Sequence, residues 1–247
     1  MRCRLCEYEK KLIEAHVIPR CLYTRVKHPT KRMLTISKRV PPRASHTGEY
    51  DRSILCADCD NILGEWDEYA CDLLVHKVPA QSIKTRSNGQ QIYVLPRYEY
   101  QKFKLFFLST LWRMSISTRY AFRDVKLGSF EVDLRQKIFD RLPGESEDFA
   151  VFIYRYIDEF GSTMMLPSRP ERLEGIRVYN LGLPGYIAVI KVDRKRLPLA
   201  TGPLVLAPGK PLAIGVRDMR KSPELRFVQR IFSSQPRRDG ARPKTER

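Results

Sequence analysis

Apolar residues recur at three- and four-residue spacing in two stretches of the chain. Ile62, Trp66, Tyr69 and Leu73 share one face of a helix that the pattern predicts within Ser53–His76, opening near Asp58 and Asp60. Leu105, Phe106, Leu108, Leu111, Trp112 and Ile116 crowd a longer helix predicted over Tyr98–Phe122, the core helix of the later chain. Phe130–Leu142 reads as another helix and Pro223–Phe232 as a last one. Short apolar runs at Phe149–Ile157, Ile176–Leu181, Tyr186–Val192 and Leu204–Val216, separated by Pro and Gly, read as strands. A further short strand is expected near Leu12–Pro19, with Ile13, Val17 and Ile18 as its apolar positions. The polar stretch Pro79–Gln91 reads as a linker, and the basic, Pro-containing tail from Ser233 as disordered. The fold class that results is α+β. Its parts are an N-terminal module over 1–80, a linker over 81–97, a mixed α/β C-terminal region over 98–232, and a tail over 233–247.

Charge sharpens this division. The 247 residues carry 45 Lys and Arg against 28 Asp and Glu, a net charge of +17. Such an excess attracts polyanions, of which nucleic acid is the commonest; the plainer alternative is a basic surface kept for solubility. Ala15 to Gly48 contains no acidic residue but holds Arg20, Arg25, Lys27, Lys31, Arg32, Lys38, Arg39 and Arg43, a run suited to tracking phosphates or, alternatively, a solvated loop. From Ser53 to His76 the sign reverses, with acids and no Lys or Arg. The apolar stretch near Leu105–Ile116 is too short for a membrane span and is interrupted by Arg113. No signal peptide is visible at the polar N-terminus, so a cytoplasmic protein is expected, with no membrane partner.

All six cysteines lie at or before Cys71 and all four histidines at or before His76. Cys3/Cys6 and Cys56/Cys59 are two Cys-x-x-Cys pairs with the spacing of a four-thiolate structural zinc site, a closed set that leaves no position for catalysis. Cys21 and Cys71 are left over and read as small buried apolar residues. Between the pairs lies Glu14-Ala15-His16-Val17-Ile18-Pro19-Arg20.

Residues 1–75 resemble the HNH endonucleases, the ββα-metal nucleases in their zinc-stabilised form. The features that carry the resemblance are the first Cys pair, a His followed by aliphatics and Pro, and Leu55-Cys56-x-x-Cys59 opening a helix. The resemblance implies that His16 is the general base that activates water against a DNA phosphodiester. It also implies one divalent ion, Mg²⁺ or Mn²⁺, bound near the helix start. The acid expected before the base is Ala15. The Asn slot holds Asp51 and the final His slot holds Asp60. Asp60 remains an oxygen ligand for a hard cation, and Asp51 could orient the base or ligate, with Glu14 or Asn61 as other contacts.

Two functions from different classes follow. One is a metal-dependent endonuclease with His16, Asp51 and Asp60 at its site, the basic run on phosphates, and the C-terminal region serving recognition, a protein partner or homo-oligomer assembly. The other is a catalytically degenerate zinc-stabilised nucleic-acid-binding module or adaptor. His16 alone would also fit a buried structural histidine. His46 could substitute as a ligand, while His28 and His76 read as surface residues. Glu65, Asp67 and Glu68 read as the solvated face of the acidic helix. Arg113, in so apolar a helix, must find a partner or reach water.

Overall fold

A computed structural model describes residues 1–23, 33–37, 40–45, 48–158, 168–222, 224–226, 229 and 233, with the strands at 33–37 and 40–45 described by backbone alone. The cysteine-bearing segment runs through β1 (Ala15–His16), helix α1 (Arg20–Tyr23), β2 (Met33–Ser37), β3 (Val40–Ser45), β4 (Tyr50–Asp51) and helix α2 (Ala57–Asp72). β2 and β3 pair with each other, and β1 pairs antiparallel with β4, setting Ala15 opposite Asp51 and His16 opposite Tyr50. The strand predicted over Leu12–Pro19 contracts to these two residues plus an isolated bridge from Leu12 to Cys56. Pro19 has no N–H to give a ladder, and α1 begins at the next residue.

Of the stripe predicted for the acidic helix, Trp66 and Leu73 are buried and Ile62 and Tyr69 half-buried; Leu63 and Ala70, outside that stripe, complete the buried face of α2, and the helix continues through a π-turn at Leu73–Lys77. The remaining elements are β5 (Ile83–Thr85), β6 (Gln91–Leu95), α3 (Tyr100–Ile116), α4 (Phe130–Phe139), β7 (Val151–Tyr156), β8 (Arg169–Leu173), β9 (Ile176–Leu183), β10 (Tyr186–Lys191) and β11 (Leu212–Arg217). The seven strands β5 to β11 form one sheet in the order β5-β6-β11-β7-β10-β9-β8, antiparallel except where β11 lies parallel to β7. The protein is thus α+β, with helices against one large sheet.

Three predicted boundaries need correction. The segment read as a linker is the β5–β6 hairpin. Its turn is closed by Gly89 N–H to Arg86 O and by the Asn88 side chain accepting from Gln90, with Gly89 at φ +78° where a side chain would be strained. The strand predicted over Leu204–Val216 divides into a 3-10 turn at Leu199–Leu204 and β11, because Pro208-Gly209 interrupts it. The long helix stops at Ile116, and a separate 3-10 turn covers Tyr120–Phe122. Most of the predicted helix over 223–232, and all of the tail except Ser233, lie outside the described residues.

α3 is buried from Phe103 through Ser115 on every side, as a helix apolar all round must be. It packs on α2, α4 and β10, so a single apolar cluster runs from Cys3 in the cysteine segment to Ile214 in the sheet. The composition boundary near residue 80 is therefore crossed by the packing. Among the described residues, no helix is long and apolar enough to cross a membrane.

Candidate metal centre and histidine site

The first Cys pair sits in a tight knuckle. Cys3 N–H donates to Tyr8 O at 3.0 Å and Glu7 N–H to Cys3 O at 2.9 Å, with Glu7 in the left-handed region at φ 61°. The second pair opens α2, with Cys56 as its N-cap and Cys59 in the first turn. Two backbone bonds, Arg4 N–H to Ile54 O at 2.8 Å and Ile13 N–H to Leu55 O at 3.0 Å, hold the two segments together. The four sulfurs converge within 4.8 Å of one another, and Cys6 and Cys56 are 4.0 Å apart. Tetrahedral zinc–thiolate bonds require sulfurs roughly 3.8 Å apart, so the set could hold a metal such as zinc with little rearrangement.

The ionisation of the thiols also suits a bound cation. Burial raises the Cys3 thiol, but backbone N–H groups of Cys6, Cys56 and Leu5 outweigh it and bring it to about 7. Burial, together with the negative charge at Cys3, pushes Cys59 well above the usual thiol range. Neighbouring sulfurs thus resist ionising together, and a bound divalent ion removes that conflict. Cys21 and Cys71 do not join the cluster. They are joined to each other as a disulfide, Cα to Cα 6.2 Å, which corrects the reading of both as simple apolar fillers. α1 packs against α2 and brings together two residues separated by 50 positions, a juxtaposition no spacing rule could give.

His16 lies on the outward side of the β1–β4 pair. Alternation turns Ala15, fully buried, and Asp51, 3% exposed, to the opposite face. The consequence for position 15 is direct: a side chain there points into the core and away from His16. Asp51 accepts five hydrogen bonds, from Ser53 N–H at 2.9 Å, Ser53 Oγ at 2.6 Å, Ser117 Oγ at 3.0 Å, Thr118 N–H at 2.7 Å and Thr118 Oγ1 at 2.9 Å. Burial raises its carboxyl, but these donors prevail and hold it at about 2. With its lone pairs taken, Asp51 has the surroundings of an orienting group rather than a ligand, fastening the end of α3 to β4.

Asp60 lies within electrostatic range of His16. It occupies the first turn of α2, where burial raises its carboxyl and the charges of Arg113 and His16 only partly offset the rise. Asp67 lies two turns further along the same face of α2. Its carboxylate takes Arg113 Nη1 at 2.8 Å and Nη2 at 2.7 Å, and the same Nη1 donates to the backbone carbonyl of His16 at 3.0 Å. The Arg113 side chain is 1% exposed and that of Asp67 14%. Asp67 is therefore not on a solvated face. It occupies the buried stripe with Leu63 and Ala70, at the i, i+4, i+7 spacing that could have revealed it. Arg113 finds the partner its apolar helix demands, and that bond ties the later chain to the strand carrying His16.

Of the basic run, Arg20 is exposed on α1. Arg25, Lys27, Lys31, Arg32, Lys38 and Arg39 lie outside the described residues, as do the side chain of Arg43 and both His28 and His46. His76 is exposed at the end of the π-turn, and Glu14 pairs with Arg52 at 3.1 Å on the surface. No known family model matches the chain, and no curated protein and no solved structure matches it either.

Proposed function

We propose that the chain is a metal-dependent endonuclease of the HNH type that hydrolyses DNA phosphodiester bonds. The observation that supports this most is that Asp60 lies near enough to His16 for the two to interact electrostatically, beside a four-thiol cluster that opens the helix carrying Asp60. Cys3, Cys6, Cys56 and Cys59 hold zinc in a structural role. Asp60 is the carboxylate for Mg²⁺ or Mn²⁺, with phosphate oxygens and water completing the shell. When bound, that ion would neutralise charge developing on the phosphate and the departing oxygen. His16 accepts the proton of the attacking water, and its approach is fixed by the bond from Arg113 to its own carbonyl. The net charge of +17 favours the polyanionic substrate.

Plasmid nicking with Mg²⁺ or Mn²⁺ tests this. Wild type nicks, and His16→Ala loses on the order of a hundredfold or more of the rate. Equal cleavage by both proteins, or none by either across metals and substrates, overturns the nuclease. One observation favours the second reading, a zinc-stabilised binding module without catalysis. Among the described residues, Cys3, Cys6, Cys56 and Cys59 are the one group of three or more His, Cys, Asp and Glu side chains close enough to hold a metal ion. That reading is supported if DNA binds with steep salt dependence and is never cut.

The zinc assignment has its own check. Purified protein contains about one zinc ion per chain, and Cys59→Ser loses it together with the cooperativity of unfolding. Elemental analysis alongside circular dichroism reads both. A protein that folds identically with no metal ends the assignment.

A further inference from the structure

We infer that Tyr50, with Arg119 and Arg52, forms a stacking subsite beside His16 for an unpaired nucleotide of single-stranded nucleic acid; the inference rests on the nucleic-acid reading above. Tyr50 is the cross-strand partner of His16, and their rings stand edge-on with centroids 6.5 Å apart. Neighbours of this kind project from the same side of a pleated pair, so a strand placed at His16 meets Tyr50. Two guanidiniums flank the ring, those of Arg52 and Arg119, each 5.7 Å from its centroid.

Arg119 arrives there through a built connection. The buried Asp51 carboxylate fastens Ser117 and Thr118 to β4, and Arg119 is the next residue. The pattern then repeats along the chain, with Arg123 lying over the ring of Tyr120 at 3.8 Å and Tyr120 43% exposed. Arg52 and Arg119 each touch a carboxylate, Glu14 at 3.1 Å and Glu49 at 3.4 Å. Ion pairs of such exposed cations are weak enough for a phosphate to compete.

Aromatic faces interleaved with guanidiniums are what an unstacked base and its phosphates require. The ring takes the base and the cations take the backbone. A continuous duplex keeps its bases stacked inside and offers Tyr50 nothing to stack on, so the preference is for single strands or frayed ends.

Fluorescence anisotropy with full-length protein in a His16→Ala background, which removes cleavage, tests the subsite. The probes are a labelled single-stranded oligonucleotide on the order of ten nucleotides long and the same sequence as a duplex. Tyr50→Ala is expected to weaken single-strand binding roughly ten- to a hundredfold and duplex binding by less than about twofold, whereas Tyr50→Phe keeps the affinity. Arg119→Gln weakens both and lowers the salt slope by about one. Equal losses on both probes, no loss on the single strand, or a Tyr50→Phe as weak as Tyr50→Ala in proteins with unchanged circular dichroism overturns the subsite. The two readings fail separately. Absence of nicking with Tyr50-dependent single-strand binding removes the nuclease and keeps the subsite, and nicking with an indifferent Tyr50→Ala does the reverse.

Discussion

α3 buries a cation near each of its ends, and the two are treated differently. Arg113, toward the C-terminal end, meets a carboxylate from α2 through two N–H bonds and the carbonyl of His16 through a third contact. Lys104, nearer the start, is as fully buried yet donates only to the Tyr100 hydroxyl at 3.0 Å and the Glu145 carbonyl at 2.5 Å. Burial draws the Lys104 ammonium down to about 7, and Asp148 only partly restores it. A guanidinium keeps its charge in an interior, whereas an amine can give up its proton. The permanent cation therefore required a second chain segment to supply the counter-charge, and the yielding one did not. This explains why the Arg113 end of α3 is welded to the cysteine segment by an ion pair, while the Lys104 end is satisfied by neutral oxygens, the Tyr100 hydroxyl and the Glu145 carbonyl.

Breaking the Arg113 end has the largest effect. Asp67→Ala leaves a buried guanidinium without a carboxylate, and destabilises by about 3–5 kcal/mol. The double change Asp67→Leu with Arg113→Met recovers most of that, since two apolar side chains of similar bulk replace the pair. Urea unfolding of the three proteins measures it. If Asp67→Ala costs less than about 1 kcal/mol, the pair does not have the grip described for it.

The Lys104 end answers to pH instead. Its folded pKa is about 7 against an ordinary 10.5, so between those values the unfolded chain binds more protons than the folded one. Stability then rises with pH across that window, by about 2 kcal/mol from pH 7 to pH 9 from this group. Lys104→Met removes that rise and makes the protein more stable than wild type at pH 7. The difference between wild type and variant in chemical denaturation at the two pH values isolates this contribution from other titrations. Parallel pH dependences in the two proteins would show that Lys104 is not held neutral.

Those two lysine and arginine environments also mark where sequence reasoning succeeds. A Cys-x-x-Cys spacing reports a local turn, and apolar period and density report the burial of α2 and α3, so the thiol cluster, the three longer helices and most inner strands were legible, while the four-residue α1 was not. Arg113 could be seen to need a partner. That the partner is Asp67, 46 positions away, depends on how α2 packs across α3 and has no local signature. The same holds for Cys21 with Cys71 and for Asp51 with Thr118. The β5–β6 hairpin was obscured differently. Ile83, Lys84 and Thr85 are all exposed at the sheet edge, so no apolar alternation marks β5, and only the Asn88-Gly89 turn betrays it. β8 is the other edge strand, and of its three half-buried positions, Arg169, Glu171 and Leu173, only Leu173 is apolar.

Asp51 gives the smaller test, at the junction between the two regions. Its carboxyl is held at about 2 in the fold, below the ordinary 3.8, by the donors from Ser53, Ser117 and Thr118. For a depressed carboxyl the stabilisation is complete above the unfolded value and disappears as pH falls through the folded one, here between about 4 and about 2. Asp51→Asn is isosteric but replaces one acceptor oxygen with a donor that faces three existing donors. It is expected to cost about 1–2 kcal/mol at pH 7. The gap to wild type narrows toward pH 2, a comparison that holds even where acid strips metal from both proteins. Because Asp51 positions Arg119 through Thr118, Asp51→Asn also weakens single-strand binding while Ser53→Ala, which leaves the Thr118 bonds in place, does not. Equal single-strand affinity in both variants would separate the brace from the surface it is said to hold.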